Sequence, residues 1–292
     1  MSEPGRSPLS LPLPVARRAG LLAVVYLATA LPAVLAGAFV ARSAALLVAH
    51  DPRGDALFWQ PGGAWLAEAA RGALDLAPAA LPLAPWLLAP WALALVVPWG
   101  LLLIGLMTGG SLRRGPLGLA LLDRLGPLVS LTALSVLTRA AVVALGLGLA
   151  AELGPLLAGP DATARTRDLL TLALGLSAPL GYGMVRWVHD LALAACVRRR
   201  ESAASALVSA LGTAYHNARR SFGPWLASTL AQGALVAASA WGTGRLTGAR
   251  YEWPAIAVLH QLTLLGLVVA RAWWLRRALV LVGPPWPPPD DD

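Results

Sequence analysis

Residues 168–200 have the sequence DLLTLALGLSAPLGYGMVRWVHDLALAACVRRR. Its first part, from Leu169 to Val185, is uncharged and mostly apolar. That run approaches the roughly 20 apolar residues that an α-helix needs to cross a bilayer. The second part carries ionisable side chains and ends in three consecutive arginines. The stretch therefore predicts a transmembrane helix with a polar cluster near its basic, cytoplasmic end.

The composition is that of a membrane protein. The chain of 292 residues is 57% hydrophobic, with a mean hydropathy of +0.65. Only 13% of its residues are charged, whereas soluble domains carry about 25%. The net charge of +8 does not indicate nucleic-acid binding, because the arginines stand at the ends of apolar runs instead of on a soluble basic face.

Six apolar runs predict six transmembrane helices, which makes the fold class all-α and polytopic. They lie at 20–41, 85–108, 127–151, 168–190, 224–241 and 254–274. Residues 17–282 then form a single transmembrane domain, between a disordered tail at 1–16 and a Pro-rich acidic tail at 283–292. A cleaved signal peptide is the alternative for the first run, but its 22 residues exceed the usual signal core.

Two further segments predict amphipathic helices that lie in the membrane interface. Residues 64–76 place apolar and charged side chains on separate helical faces. Residues 201–223 repeat the pattern and end in Arg219 and Arg220, which suits binding to anionic lipid at the cytoplasmic face.

The arginines also predict the topology. Loops around 113–124 and 198–220 are richer in arginine than those at 42–84, 152–167 and 242–253. The positive-inside rule then places both termini in the cytoplasm, with the domain in a bacterial inner membrane.

Arg139 is a candidate intramembrane site because it interrupts the third predicted span. It lies about 18 Å along that helix, where an isolated charge costs at least about 2.5 kcal/mol. His260 and Gln261 lie about 10 Å into the sixth span from the other side. Their similar depth predicts that Arg139 contacts them, whether in a structural pairing within the bundle or in a functional site.

A second candidate is an ion cluster at the cytoplasmic edge, formed by Arg186, His189, Asp190 and Arg271. Arg186 and Asp190 are four residues apart and share a helical face. Arg271 in the sixth span is expected at a similar height, where Asp190 could bridge the two arginines. A salt bridge at the membrane edge, a proton relay and an anion site are the alternatives.

Other residues suggest no enzymatic chemistry, cofactor or metal. The segment HDPRGD at 50–55 contains potential ligands, but its Pro and Gly predict a surface turn. The lone cysteine, Cys196, can form neither an intramolecular disulfide nor a cysteine-based zinc cluster. The familiar nucleophile, phosphate-binding and metal motifs do not occur in the sequence.

The segment WVHDLA at 187–192, followed by 198–201 and an Ala-rich amphipathic stretch, resembles bacterial six-helix integral membrane proteins. It is similar to the membrane module attached to some glycerophosphodiester phosphodiesterases. In that module an Asp near the cytoplasmic end of a central span precedes an amphipathic segment and two more spans. An Arg often follows that Asp, where this chain has Leu193 and Ala194. The resemblance implies the membrane layout and no phosphodiesterase activity, because the catalytic domain does not occur in this sequence.

Three functions are compatible with these patterns. The favoured one is a non-enzymatic scaffold or subunit, with another membrane protein or a second copy as partner. A small transporter or channel-like subunit with Arg139 in its path is the second, and Pro32, Pro90, Pro98 and Pro179 could break helices around such a path. A lipid-modifying enzyme ranks third. Paired features of the two halves, such as Pro-Trp-Leu at 85–87 and 224–226, leave an inverted repeat open.

Overall fold

The computed structural model describes residues 15–31, 90, 93–107, 114–159, 163–246 and 252–283, and this part of the chain is helical without a strand. A single 3-10 turn, Val15–Arg18, leads into the first helix. The helices are α1 Ala19–Leu31, α2 Val96–Met107, α3 Arg114–Ala158, α4 Ala164–Gly175, α5 Ser177–Arg199, α6 Ala203–His216, α7 Ala218–Leu246 and α8 Glu252–Leu281. The all-α prediction is confirmed for these residues.

Three helical stretches are long and apolar enough to cross a membrane. They are Leu117–Ala158 with 42 residues, Leu169–Arg199 with 31 and Pro254–Leu281 with 28. These stretches contain most of the third, fourth and sixth predicted spans. The described parts of the first and second predicted spans are the shorter apolar helices α1 and α2.

The remaining predictions differ from the structure in their boundaries or fall outside the described residues. The predicted fifth span begins at 224, but α7 begins at Ala218 and contains Pro224 in its interior. One proline removes a single backbone hydrogen bond, so the helix continues through it. The predicted interfacial helix at 64–76 and the turn at 50–55 lie outside the described residues.

The fourth predicted span is divided at Leu176, which separates α4 from α5. Pro179 has no N–H to donate to the carbonyl of Gly175, which is the bond that would join the two helices smoothly. Leu176 keeps a helical backbone, and its N–H donates to the Leu172 carbonyl at 3.1 Å. The break therefore interrupts one bond without reversing the chain. At its other end α5 extends to Arg199, nine residues beyond the predicted end at 190.

The C-terminal half of α5 is the centre of the core. Trp187 and every residue from His189 to Arg198 are buried. Helices α3, α6 and α8 pack around this segment, and α2 covers part of it. From α8 the core receives Trp274, which is 1% exposed. Small side chains such as Ala192 and Ala194 let the helix backbones approach closely.

Gly146 marks a close approach between α3 and α5. A Cβ atom at this position would lie 2.9 Å from Cα of Ala178. That neighbour is backbone, so a side chain would force the two helices apart.

We expect Gly146→Leu to lower the free energy of unfolding by about 1–3 kcal/mol more than Gly148→Leu does. Gly148 is the matched control. It lies two residues further along α3, and a Cβ atom added there would meet no atom within 4 Å. Both changes raise helix propensity equally. Thermal unfolding in detergent micelles measures the difference, and equal stabilities would contradict the packing of α3 against α5.

Candidate functional site

Asp190 is the most deeply buried charged group among the described residues, with an exposure of 0%. Its Oδ1 accepts a hydrogen bond from Nη2 of Arg271 at 3.2 Å. Its Oδ2 accepts one from Nε1 of Trp274 at 3.1 Å. Both carboxylate oxygens therefore have partners on α8, which is the condition under which a buried carboxylate can be retained without a large cost.

Arg271 links this pair to a third helix. Its guanidinium carbon lies 4.5 Å from the centre of the Trp99 ring on α2, a distance typical of a cation–π contact. Its Nε atom is buried and has no hydrogen-bond partner. The carboxylate on α5, the guanidinium on α8 and the indole on α2 thus tie three helices together at one height.

Arg186 does not pair with Asp190, although both lie on α5 and were predicted to face each other. Its Nη2 donates to Oε1 of Gln232 on α7 at 2.8 Å. Gln232 donates in turn to Oγ of Ser228 at 3.1 Å, and that hydroxyl donates to the carbonyl of Ala270 at 2.9 Å. Both oxygens of Asp190 accept hydrogen bonds from Arg271 and Trp274. Arg186 donates instead to the neutral side-chain amide of Gln232.

Gln232 and Ser228 were not identified from the sequence as site residues. Both interrupt the apolar run at 224–241, which was the signal available. Their contacts with Arg186 and Ala270 depend on which helices α7 faces, and the sequence alone does not predict this.

His189 belongs to the cluster by position but not by hydrogen bonding. It is 5% exposed and lies within electrostatic range of Asp190, Arg139, Arg271 and Arg186. No hydrogen bond joins it to another residue of the described chain. It therefore packs beside the ion pair without completing a relay of hydrogen bonds.

Arg139 contacts α5 instead of the predicted partners on α8. Its Nε and Nη2 donate to Oγ of Ser135, one turn earlier on α3, at 3.0 and 2.7 Å. Its Nη1 donates to the hydroxyl of Tyr182 at 3.4 Å, and the guanidinium lies 5.4 Å from the centre of that ring. All the hydrogen-bond partners of Arg139 in the described part of the chain are therefore neutral groups.

The predicted grouping of Arg139 with His260 and Gln261 is not what the structure shows. His260 lies 3.2 Å from Oγ1 of Thr243 on α7, and Gln261 accepts a hydrogen bond from Tyr26 on α1. No hydrogen bond joins Arg139 to either residue in the described part. Counting residues along a span gives the height of a side chain, but the rotation of each helix decides its neighbours.

Aromatic side chains fill the space between α5 and α7, whose backbones stay apart. Trp187 contacts Phe222 with ring centres 5.3 Å apart and Trp225 with centres 6.2 Å apart. Trp225 also approaches Gly183, where an added Cβ would lie 3.2 Å from its ring. These rings hold the two helices at the separation that Arg186 and Gln232 bridge.

No group of three or more His, Cys, Asp or Glu residues that could hold a metal ion occurs in the described ranges. Cys196 is buried on α5 with a free thiol. The chain matches no protein-family model, and comparison with curated proteins and with solved structures found no similar protein.

Proposed function

We propose that the chain is an integral protein of a bacterial inner membrane with six crossings and both termini in the cytoplasm. Three span-length apolar helices support this proposal. Large apolar side chains are also exposed on the outside of the bundle, including Leu145 at 65%, Leu180 at 70% and Leu262 at 60%. Exposed apolar surface of this extent suits contact with lipid.

Its role in this proposal is that of a scaffold or subunit without catalytic activity, with a membrane protein or a second copy as partner. The main support for this role is the contact of Asp190 with Arg271 and Trp274. Asp190 and Arg271 form an ion pair between α5 and α8, as in a bundle held in one arrangement. A site for catalysis needs reactive groups left free to meet a substrate.

Fusions of reporter proteins test the membrane topology. Alkaline phosphatase joined after position 161 or 249 is expected to be active, because these loops lie outside in the proposal. Green fluorescent protein joined after 113 or 201 is expected to fluoresce, because these loops lie inside. Each reporter at the other pair of positions is the control. Release of the protein from membranes by alkaline carbonate, or the same reporter active at all four positions, would contradict the proposal.

A transporter subunit is the second candidate, favoured by the helix break at Leu176. Broken helices line the binding sites of many transporters, and here the break precedes Tyr182 and Arg186 on the same helix. Flux of an anion into liposomes that contain only this protein would favour transport. A fixed assembly larger than the 30.2 kDa chain, without flux, would favour the scaffold.

A further inference from the structure

We propose that Arg139 and Arg186 bind a phosphate-type oxyanion beside Tyr182. The ligand is either the phosphodiester of an anionic lipid headgroup or free phosphate, because both present the same charged oxygens. The inference rests on the membrane placement proposed above, since the cost of an uncompensated charge is large only there.

Arg139 and Tyr182 meet between α3 and α5, and Arg186 lies one turn further along α5. Tyr182 and Arg186 are four residues apart, so they are neighbours on one face of α5. Arg139 reaches the same face from α3, with its guanidinium 5.4 Å from the Tyr182 ring. Arg139 is among the charged groups that act on Arg186. Arg139 thus contacts the phenol directly, and Arg186 lies one helical turn from it.

The site has more positive charge than its carboxylate can balance. Asp190 is the one carboxylate among the charged groups that act on Arg186 and His189 in the described chain. Both of its oxygens accept hydrogen bonds from α8, one from the guanidinium of Arg271 and the other from the indole of Trp274. Arg139 and Arg186 have only hydroxyl, carbonyl and amide partners. Within the described part of the chain, neither guanidinium is hydrogen-bonded to a carboxylate.

An oxyanion would supply that counter-ion with suitable geometry. A guanidinium has five N–H donors, and its planar fork matches the oxygens of a phosphate. Arg186 uses Nη2 on Gln232, and none of its other nitrogens is both buried and unpaired. Arg186 is half-buried, so a ligand that enters beside Tyr182 can approach its remaining donors. Tyr182 is 40% exposed, so the site opens to the outside of the bundle.

The position of Arg186 favours a headgroup over a soluble ion. It lies in the C-terminal half of the span-length helix Leu169–Arg199, which the proposed topology places toward the cytoplasm. An anionic headgroup in the cytoplasmic leaflet reaches that depth when an arginine draws it inward. The neighbouring Leu180 is 70% exposed, so acyl chains have an apolar surface beside the site.

The test measures binding of phosphatidylglycerol, phosphatidylcholine and inorganic phosphate to the purified full chain. Native mass spectrometry counts bound lipid, and thermal shifts are recorded with each ligand. The variants are Arg186→Gln and Arg139→Gln. Arg245→Gln is the matched control, because Arg245 stacks on Trp241 with the same 5.4 Å separation but is exposed. Arg186→Lys keeps the positive charge but removes the planar set of paired N–H donors.

We expect phosphatidylglycerol to bind more tightly than phosphatidylcholine, and each glutamine variant to weaken that binding about tenfold or more. The Arg245→Gln control should bind normally, and Arg186→Lys should keep part of the affinity. Tight binding of inorganic phosphate, lost in the same variants, would assign the site to a soluble oxyanion.

Equal binding of both lipids, with no response to phosphate, would overturn the inference. The comparison of ligands on the unaltered protein decides this even if a variant fails to fold. A negative result from a protein that resists carbonate extraction refutes the anion site alone. A protein released by carbonate refutes the membrane placement itself.

Discussion

Asp190→Ala is expected to lower the free energy of unfolding by about 3–5 kcal/mol. The substitution leaves Arg271 charged in a site where its side chain is only 24% exposed. It also removes the acceptor for the buried Trp274 indole. Breaking one side of a buried ion pair costs more than the pair itself contributes, because the remaining charge loses its solvation and its partner together.

Reversible unfolding in mixed micelles measures this loss, with Asp123→Ala as the matched control. Asp123 also pairs with an arginine, Arg124, at 3.0 Å, but its own side chain is 68% exposed. Arg124 is 8% exposed and has interactions besides this pair, so the change does not leave it without a partner. We expect less than about 1 kcal/mol at that position. Asp190→Leu combined with Arg271→Met should recover part of the stability, because both charges of the pair are removed while the Trp274 N–H still lacks its acceptor. Equal losses from Asp190→Ala and Asp123→Ala would disprove the buried pair.

Trp274→Ala is the second change with a large expected effect, about 3–5 kcal/mol. The side chain is 1% exposed and is the largest of those fully buried in the described chain. Its removal leaves a cavity beside α5, and it deprives Asp190 of one hydrogen bond. The two losses have separate causes, which a second substitution can distinguish.

Trp274→Phe keeps most of the ring volume but has no N–H to donate. We expect it to cost about 1–3 kcal/mol, the range for a buried acceptor that loses its donor. Trp273→Ala is the control for tryptophan removal, because that neighbouring side chain is 46% exposed and should cost about 0.5 kcal/mol. If the phenylalanine variant is as stable as the original, the indole hydrogen bond contributes nothing.

Much of the fold could be predicted from apolar length. The runs around Arg139, Arg186 and Arg271 appear as helices long enough to span a membrane, because length and composition are local properties of the sequence. Helix ends were harder to place. The continuation of α5 to Arg199 and the start of α7 before Pro224 depend on packing against neighbouring helices, which no local pattern encodes.

The candidate site was predicted in part. Residue counting placed Arg271 at the height of Asp190, and the structure joins them. The same counting assigned Arg139 to His260, although Arg139 faces Tyr182 on another helix. Height along a span follows from the number of residues, whereas the facing helix follows from the arrangement of the whole bundle. Gln232 was missed for the same reason.

The buried position of Cys196 has a practical consequence. The side chain is 0% exposed and is the sole cysteine of the sequence. A membrane-impermeant maleimide should therefore leave the native chain unlabelled while the bundle is folded. New thiols introduced one at a time into each loop would then report accessibility from either side without removal of the natural one. Labelling of Cys196 itself would become a direct measure of bundle opening.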